Sequence, residues 1–429
     1  MSNYKAPDIY IEEVSGGARP IQAVGTSTAG FVGVAPNPDA FVNEARAINN
    51  WSQFLKEFAD REGSVSTHLS NAVYGFFQNG GSRCYVVNVG AGGAIAGGGR
   101  SRTGLDRLEE IDEVAIVVAP GYADPGSYDA VLSHCEKMKD RVAILDAPEN
   151  VGNIDLLTTV SVAAATRRTG RSGGPAPAEG TAAGGETPAT GTPAAGAASP
   201  PPGLRPRQSD NGYGAFYFPW ITIRDPLAPD ERVSAPPSGH IAGVWARTDA
   251  ARGVHKAPAN EVVRGALDVA YYLTREEQGA LNDFGVNCIR FFTREGIRVW
   301  GARTLADGSS EWRYLNVRRL FNMIEESIAD STRWIVFEPN DRTLWKSIRR
   351  DITAFLTRVW RDGALMGATP EEAFFVKCDE ETNTPESIDA GEVITLIGIA
   401  PVKPAEFVVF RISQYAGGSN VETLGGSNA

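Results

Sequence analysis

This chain has little of what enzymatic chemistry draws on. It holds only four cysteines and four histidines in 429 residues. Cys84, Cys135, Cys288 and Cys378 lie far apart with no CxxC or CxxH pairing, which excludes a disulfide-stapled scaffold and a zinc cluster and leaves free thiols in a reducing compartment. His68, His134, His240 and His255 are too scattered to define a ligand set or a general base. His134 and Cys135 are neighbours, but adjacent helical positions point about 100° apart, which argues against a thiol and imidazole pair. There is no GxxxxGK[ST] for a nucleotide phosphate and no HExxH for zinc. The glycine run 90–99 follows a strand-like segment, yet no GxGxxG fits it and it continues into Arg100, Ser101 and Arg102 rather than opening a helix. It reads as a loop. No cofactor and no catalytic or metal-binding residues are expected.

Long apolar runs are missing too. The best, Val114 to Ala119 and Val393 to Val402, fall short of the roughly 18 residues a membrane span needs, and Gly398 interrupts the second. No direct membrane insertion is expected. Met1 to Val14 carries no Arg-led apolar signal, so the expectation is accumulation in the bacterial cytoplasm. Positive charge is in deficit, at 41 Lys and Arg against 52 Asp and Glu for a net charge of −11, which argues against nucleic acid as a partner. The basic run Arg167 to Arg171 sits in low-complexity sequence and reads as solvated linker.

What is present is an α/β pattern with 42% hydrophobic residues, enough to bury a sizeable core in two or three domains. Asp8 to Val14 (DIYIEEV) looks like an isolated strand on a Ser-Gly-Gly tether. A second strand is expected within residues 25–36, helices over Ile48 to Phe58 and Ser66 to Gln78, and a buried strand at Cys84. Val114 to Ala119 and Val142 to Leu145 read as strands around a helix at Ser127 to Lys139, an order that predicts a parallel pair. From Ala164 to Ser209 the chain is almost wholly Ala, Gly, Pro, Thr and Ser, which predicts a disordered insert in a folded domain.

The segment Thr343 to Ala364 is the most legible helix. At 3.6 residues per turn Leu344, Ile348, Ile352, Phe355 and Val359 share one face, while Lys346, Arg350 and Arg361 lie nearly opposite, flanked by Arg349 and Arg358. Trp360 falls toward the basic side, and an exposed aromatic among arginines is the composition of an interface. The acids in FEPND (Glu338, Asp341) and KCDEETN (Asp379, Glu380, Glu381) lack a convergent third group and read as loop caps and surface charge. Glu406 to Gln414 (EFVVFRISQ) is a strongly β-forming segment before a Gly/Ser-rich tail. It matches the N-terminal segment in kind.

The stretch from Gly296 to Gln414, with its run EWRYLNVRRLFNMIEESI, its WIVFEPND and its terminal IAPVKPAEFVVFRISQY, resembles the C-terminal region of contractile tail sheath proteins of phage tails and bacterial contractile injection systems. Pro236 to Ala266 extends the resemblance upstream, while the insert and the soft tail are not part of the shared pattern. The resemblance implies a two-domain α/β (α+β mixed) sheath subunit: an N-terminal arm at 1–20, an outer domain at 21–285 containing the insert at 164–209, an inner tube-facing domain at 286–405, and a C-terminal arm and tail at 406–429. It implies a homo-oligomeric helical sheath with an inner tube, baseplate and cap as partners, and no enzyme. Lys346, Arg349, Arg350, Arg358, Trp360 and Arg361 would form the tube-contact helix. Ile9, Tyr10, Ile11 and Val14, with Phe407, Val408, Val409, Phe410 and Ile412, would be strand arms donated to neighbouring subunits. Contraction would draw on free energy stored in assembly, with no nucleotide. The alternatives are a baseplate- or cap-associated sheath paralogue and an α/β enzyme.

Overall fold

The computed structural model describes residues 20–60, 63–98, 102–161 and 203–409. Short β-branched and aliphatic runs build its centre. β1 (Ala29–Gly33), β3 (Cys84–Asn88), β4 (Ile116–Val118), β5 (Val142–Asp146) and β6 (Gly214–Phe218) are parallel, and β2 (Ala45–Ile48) pairs antiparallel with β3 at the edge. The sheet has nine strands in the order β2-β3-β1-β4-β5-β6-β11-β12-β9, completed by β9 (Glu261–Val262), β11 (Val286–Phe292) and β12 (Gly296–Val299). β7 (Ile221–Arg224), β8 (Arg232–Ala235) and β10 (Asp268–Val269) form a separate three-stranded sheet.

Helices cover both faces of the large sheet, which is why its strands are apolar on both sides. On one face Phe31, Val86, Val118, Ile144 and Tyr217 pack with α1 (Trp51–Phe58), α2 (His68–Asn79) and α4 (Ser238–Arg252). On the other, Val32, Val87, Val117, Leu145 and Phe216 meet α3 (Pro125–Met138) and Leu281 of α5 (Arg275–Asp283). The alternation follows from successive strand residues pointing to opposite faces. α2 and α4 cross almost backbone to backbone: a Cβ at Gly239 would lie 2.2 Å from the Ala72 Cα, and one at Gly75 would lie 2.3 Å from His240 Nδ1. Only glycine permits that approach.

A third, smaller core lies beyond the sheet. There α6 (Leu315–Ser331) and α7 (Arg342–Arg361) pack Leu320, Ile324, Trp345, Ile348, Ile352 and Phe355 against Ile21, Val254 and Phe374. β13 (Phe374–Lys377) and β14 (Leu396–Ile399) form an antiparallel two-stranded sheet beside it. α6 spans both cores, since Leu315 belongs to the sheet's cluster and Leu320 to the helical one.

Two sequence boundaries need correction. Residues 286–305, assigned above to the inner domain, belong to the large sheet: Val286 pairs in parallel register with Phe216, and Leu305 N–H donates to Gly214 O at 2.8 Å. The predicted insert also overruns the fold's actual re-entry point. Ser161 N–H donates to Arg205 O at 2.7 Å, Arg207 pairs with Asp129 at 2.6 Å and with Glu136 at 2.8 Å, and Ser209 is buried. Residues 203–209 are therefore part of the body, and the chain returns beside the place it left. β2 was missed because Ile48 reads equally well as the start of the following helix.

Candidate assembly surfaces

α7 begins where the Asp341 carboxylate accepts the Leu344 N–H at 2.8 Å, the cap expected of Asp before an amphipathic run. Leu344, Ile348, Ile352, Phe355 and Val359 are all buried, with Trp345, Asp351 and Leu356 added to that face. Lys346, Arg349, Arg350 and Arg361 are exposed along the opposite side. Arg350 Nε donates to the buried Asp351 carboxylate at 3.0 Å, which fixes its stem without covering the ridge. Arg342 extends the row but is engaged by Glu380 at 2.6 Å.

Two residues predicted on this ridge are committed elsewhere. Arg358 donates from Nη2 to the carbonyl of Ile21, so its guanidinium clamps the N-terminal segment. Trp360 is half-buried against the third core and donates from Nε1 to Gly367 O at 3.0 Å. Helical angle places both outward, and Arg358 is indeed exposed; the hydrogen bonds that engage them are invisible to periodicity.

The N-terminal segment is fastened along α6. Val24 N–H donates to Ser327 Oγ at 3.0 Å, Gln22 N–H to Ser331 Oγ at 3.3 Å, and Thr26 Oγ1 to Asp249 at 2.6 Å. Asp249 in turn holds Arg319 by two bonds at 3.0 and 2.5 Å, beneath the Trp245 ring. Both ions are buried, so this pair joins α4, α6 and the N-terminal segment at one point. Arg318 is buried beside it, its guanidinium 4.1 Å from the Trp312 ring centroid and 4.8 Å from that of Tyr213. Ile9, Tyr10, Ile11 and Val14 lie outside the described residues.

The C-terminal segment is pinned in the same manner. Arg303 grips both oxygens of Glu406 at 2.8 and 2.7 Å, and Asn282 donates to the same carboxylate at 3.0 Å, which holds it ionised below its ordinary range against the opposing effect of burial. Beyond this clamp Phe407, Val408 and Val409 are 74%, 69% and 76% exposed. The strand expected from Glu406 onward is not formed over 406–409, since no strand among the described residues pairs with them. Phe410 and Ile412 lie outside the described residues.

The β13–β14 pair is the least finished part of the structure. A two-stranded sheet is marginal alone, and both outer edges of this one lack a strand partner among the described residues. Phe375, Leu396 and Ile397 stand exposed on it. Sequence reasoning missed this feature, although the apolar 393–402 run that contains β14 was its visible sign.

The groups that could have suggested catalysis serve packing. Burial pushes the Cys288 thiol up to about 12 and raises those of Cys84 and Cys135, and all four cysteines are buried and unpaired. Burial holds His134 and His240 neutral by lowering each to about 4. Asp379 caps its own turn by accepting the Glu381 N–H at 3.0 Å. Among the described residues no three His, Cys, Asp or Glu side chains are grouped to hold a metal ion, and no helix is long and apolar enough to cross a membrane.

Comparison with known proteins gives one answer. Residues 208–305 match the phage tail sheath protein central domain and residues 307–414 the phage tail sheath C-terminal domain. The tail sheath protein of Vibrio phage KVP40 is 31% identical over 179 residues, covering 41% of this chain and 26% of that protein. A putative prophage major tail sheath protein of Pseudomonas aeruginosa is 29% identical over 182 residues, covering 42% of this chain and 45% of that protein. The chain thus spans less than half the length of these curated relatives. Among solved structures, the sheath complex of an extracellular contractile injection system in its contracted state superposes with a TM-score of 0.71 at 29% identity, covering 97% of this chain and 99% of that one. The helical sheath of the anti-feeding prophage in its contracted state gives 0.68 at 28% identity. Two consecutive sheath-domain matches and a likeness along nearly the whole chain to a solved sheath subunit all indicate the contractile tail sheath family.

Proposed function

We propose that this chain is the repeating subunit of a contractile sheath, polymerising as helically stacked rings around an inner tube and contracting to drive that tube through a target envelope. The observation that carries this reading is its overlay, along 97% of its length, on the sheath subunit of a contracted injection system. Assembly in the bacterial cytoplasm into a phage tail or tail-like particle, between a baseplate and a cap, follows from the same reading.

The geometry supplies a division of labour. The described chain is pinned near each terminus, at the Ile21–Thr26 segment and at the Arg303–Glu406 clamp. Strand arms beyond those points would pair with the open edges of a neighbour's β13–β14 sheet, satisfying backbone groups that the isolated subunit leaves to water. Because the arms are held at their roots, rigid-body rotation of the subunits stretches the intervening chain without unpairing the strands. The ridge of Lys346, Arg349, Arg350 and Arg361 would face acidic groups on the tube, an attraction that weakens with salt. The work of contraction would come from exchange of this tube contact for larger contacts between subunits.

Negative-stain electron microscopy of the purified chain, alone and with its tube protein, tests the reading. Hollow, helically ridged cylinders are the expected result, and monomers under every condition overturn it. A second reading has its own support, since chains of the anti-feeding prophage baseplate superpose with a TM-score of 0.68 at 28% identity. Copy number per particle separates a baseplate-proximal subunit from one that repeats along the shaft.

A further inference from the structure

Residues 335–338, between α6 and α7, form a type II β-turn. Val336 takes φ −62° and ψ 124°, Phe337 takes φ 72°, and the Glu338 N–H closes the turn on Ile335 O at 3.0 Å. The third position of such a turn lies in the left-handed region, which glycine enters freely and a bulky side chain enters only under strain. Phenylalanine occupies it here, and no burial within the subunit offsets the strain: Phe337 is fully exposed and Val336 is 64% exposed.

Both flanks of the turn are fixed. On one side Trp334 and Ile335 are half-buried against the third core, and Val336 N–H donates to Arg333 O at 3.3 Å. On the other, Asn340 donates to Glu392 O at 2.9 Å and accepts the Trp345 Nε1–H at 2.8 Å, and Asp341 caps α7. A strained residue that its surroundings hold in place without covering is suited to act outside the subunit. A rigid aromatic projection of this kind carries interface energy when a pocket receives it.

Charge narrows the partner. Arg333 and Arg342, on either side, are engaged by Asp330 at 3.4 Å and Glu380 at 2.6 Å, so the charge presented beside the Phe337 ring is that of the exposed Glu338 carboxylate. An acidic partner, the kind that suits the α7 ridge, would be repelled here. A site of the opposite character lies elsewhere on the same chain. A groove of about 660 Å³ runs between the β11–β12 hairpin, α5 and residues 404–408. Phe292 and Trp300 meet in it with ring centroids 4.6 Å apart, and Phe407 and Val408 add apolar surface beside the Glu406 clamp. Arg275 is exposed at its rim, and Arg290 donates to the neutral Gln278 amide at 2.7 Å. The carboxylate among its lining residues, Glu406, is already gripped by Arg303.

We propose that the Val336–Phe337 turn docks into this groove on a second copy of the chain, with Glu338 facing Arg275 and Arg290. Turn and groove are different surfaces of one subunit, so the contact is head-to-tail and leaves an open turn at one end of an assembly and an open groove at the other. It propagates rather than closes. The inference deepens the assembly reading and rests on it.

Phe337→Gly separates the anchor from the fold. Glycine suits the left-handed position, so the melting temperature should be no lower than that of the wild type, while the concentration needed for self-assembly, read by sedimentation, rises at least about tenfold. Glu338→Cys combined with Arg275→Cys, treated with a short bis-maleimide under assembly conditions, should give a ladder of covalent oligomers beyond the dimer on denaturing gels. Either single variant should give none, since the four native cysteines are buried. Wild-type assembly by Phe337→Gly, or cylinders of the double variant without a ladder, would overturn the docking and leave the sheath reading standing. A covalent dimer from Glu338→Cys alone would show a symmetric turn-to-turn contact and overturn it equally. Wild-type protein that stays monomeric under every condition overturns both.

Discussion

The large sheet and the C-terminal helical unit solve the same problem in opposite ways. In the sheet body both faces are covered, the edges carry short strands, and the core is closed by residues of the chain itself. In the C-terminal unit a two-stranded sheet has no strand partner on its outer edges among the described residues, Phe375 and Leu396 face solvent, and one helix side is an exposed basic ridge. A body that satisfies itself specifies a fold. A unit with exposed strand edges, apolar surface and charge has room for partners, and the described chain is pinned to the helices at Ile21 and to the sheet's rim at Glu406.

This contrast can be broken at several places. The largest effect is expected from removing residues 2–14. The subunit should remain folded, by circular dichroism and a cooperative melt, while forming no rings or tubes by electron microscopy; normal tubes from the truncated chain would end the strand-donation reading. Next comes charge reversal on the ridge. Arg349→Glu combined with Arg350→Glu should lower co-assembly with the tube by at least roughly tenfold and remove its salt dependence, with sheath self-assembly intact. Wild-type tube pull-down by this double variant would show that the ridge faces water.

A third change attacks the joint between the two regions. Asp249→Ala strands the buried Arg319 guanidinium, and denaturant unfolding should report a loss of about 3–5 kcal/mol. A loss under about 1 kcal/mol would mean that the pair is not desolvated as the geometry requires. The smallest effect belongs to His240. Its imidazole is buried and neutral, with a folded pKa lowered to about 4 and neither ring nitrogen bonded. The unfolded chain takes up a proton below about pH 6.5, so this group's contribution is intact above that pH and is lost as pH falls toward 4, by up to roughly 3 kcal/mol. His240→Phe should therefore be near neutral at pH 7 and flatten the stability profile between pH 6.5 and 4. The remaining slope belongs partly to His134, which titrates in the same window. An unchanged profile would place the acid sensitivity elsewhere.

The two regions also differed in how far they could be read from residues alone. The sheet body announced itself through β-branched runs separated by periodic helices: β1, β3 and β4 fall within the expected segments, and α2, α3 and β5 overrun theirs by a residue or two. Its limit was misplaced because β11 pairs with β6 some seventy residues earlier in the chain, a long-range contact that no local pattern encodes. The central stripe of α7's buried face was legible for the same reason that its outer face was not. Core positions repeat every turn, whereas Arg358 and Trp360 are engaged by hydrogen bonds to the carbonyls of Ile21 and Gly367, contacts that no periodicity encodes. The open β13–β14 sheet went unseen because pairing between two short segments nearly twenty residues apart leaves no periodic trace.

The four buried thiols have a practical consequence. Cys84, Cys135, Cys288 and Cys378 are all shielded, and desolvation keeps at least Cys84, Cys135 and Cys288 protonated at neutral pH. A single cysteine introduced at an exposed site such as Val409 or Arg361 would then be the one position that maleimide reagents label, without first stripping the native residues. Paired fluorophores placed in this way would turn the sheath into its own ruler, reporting the spacing of adjacent subunits before and after firing in solution.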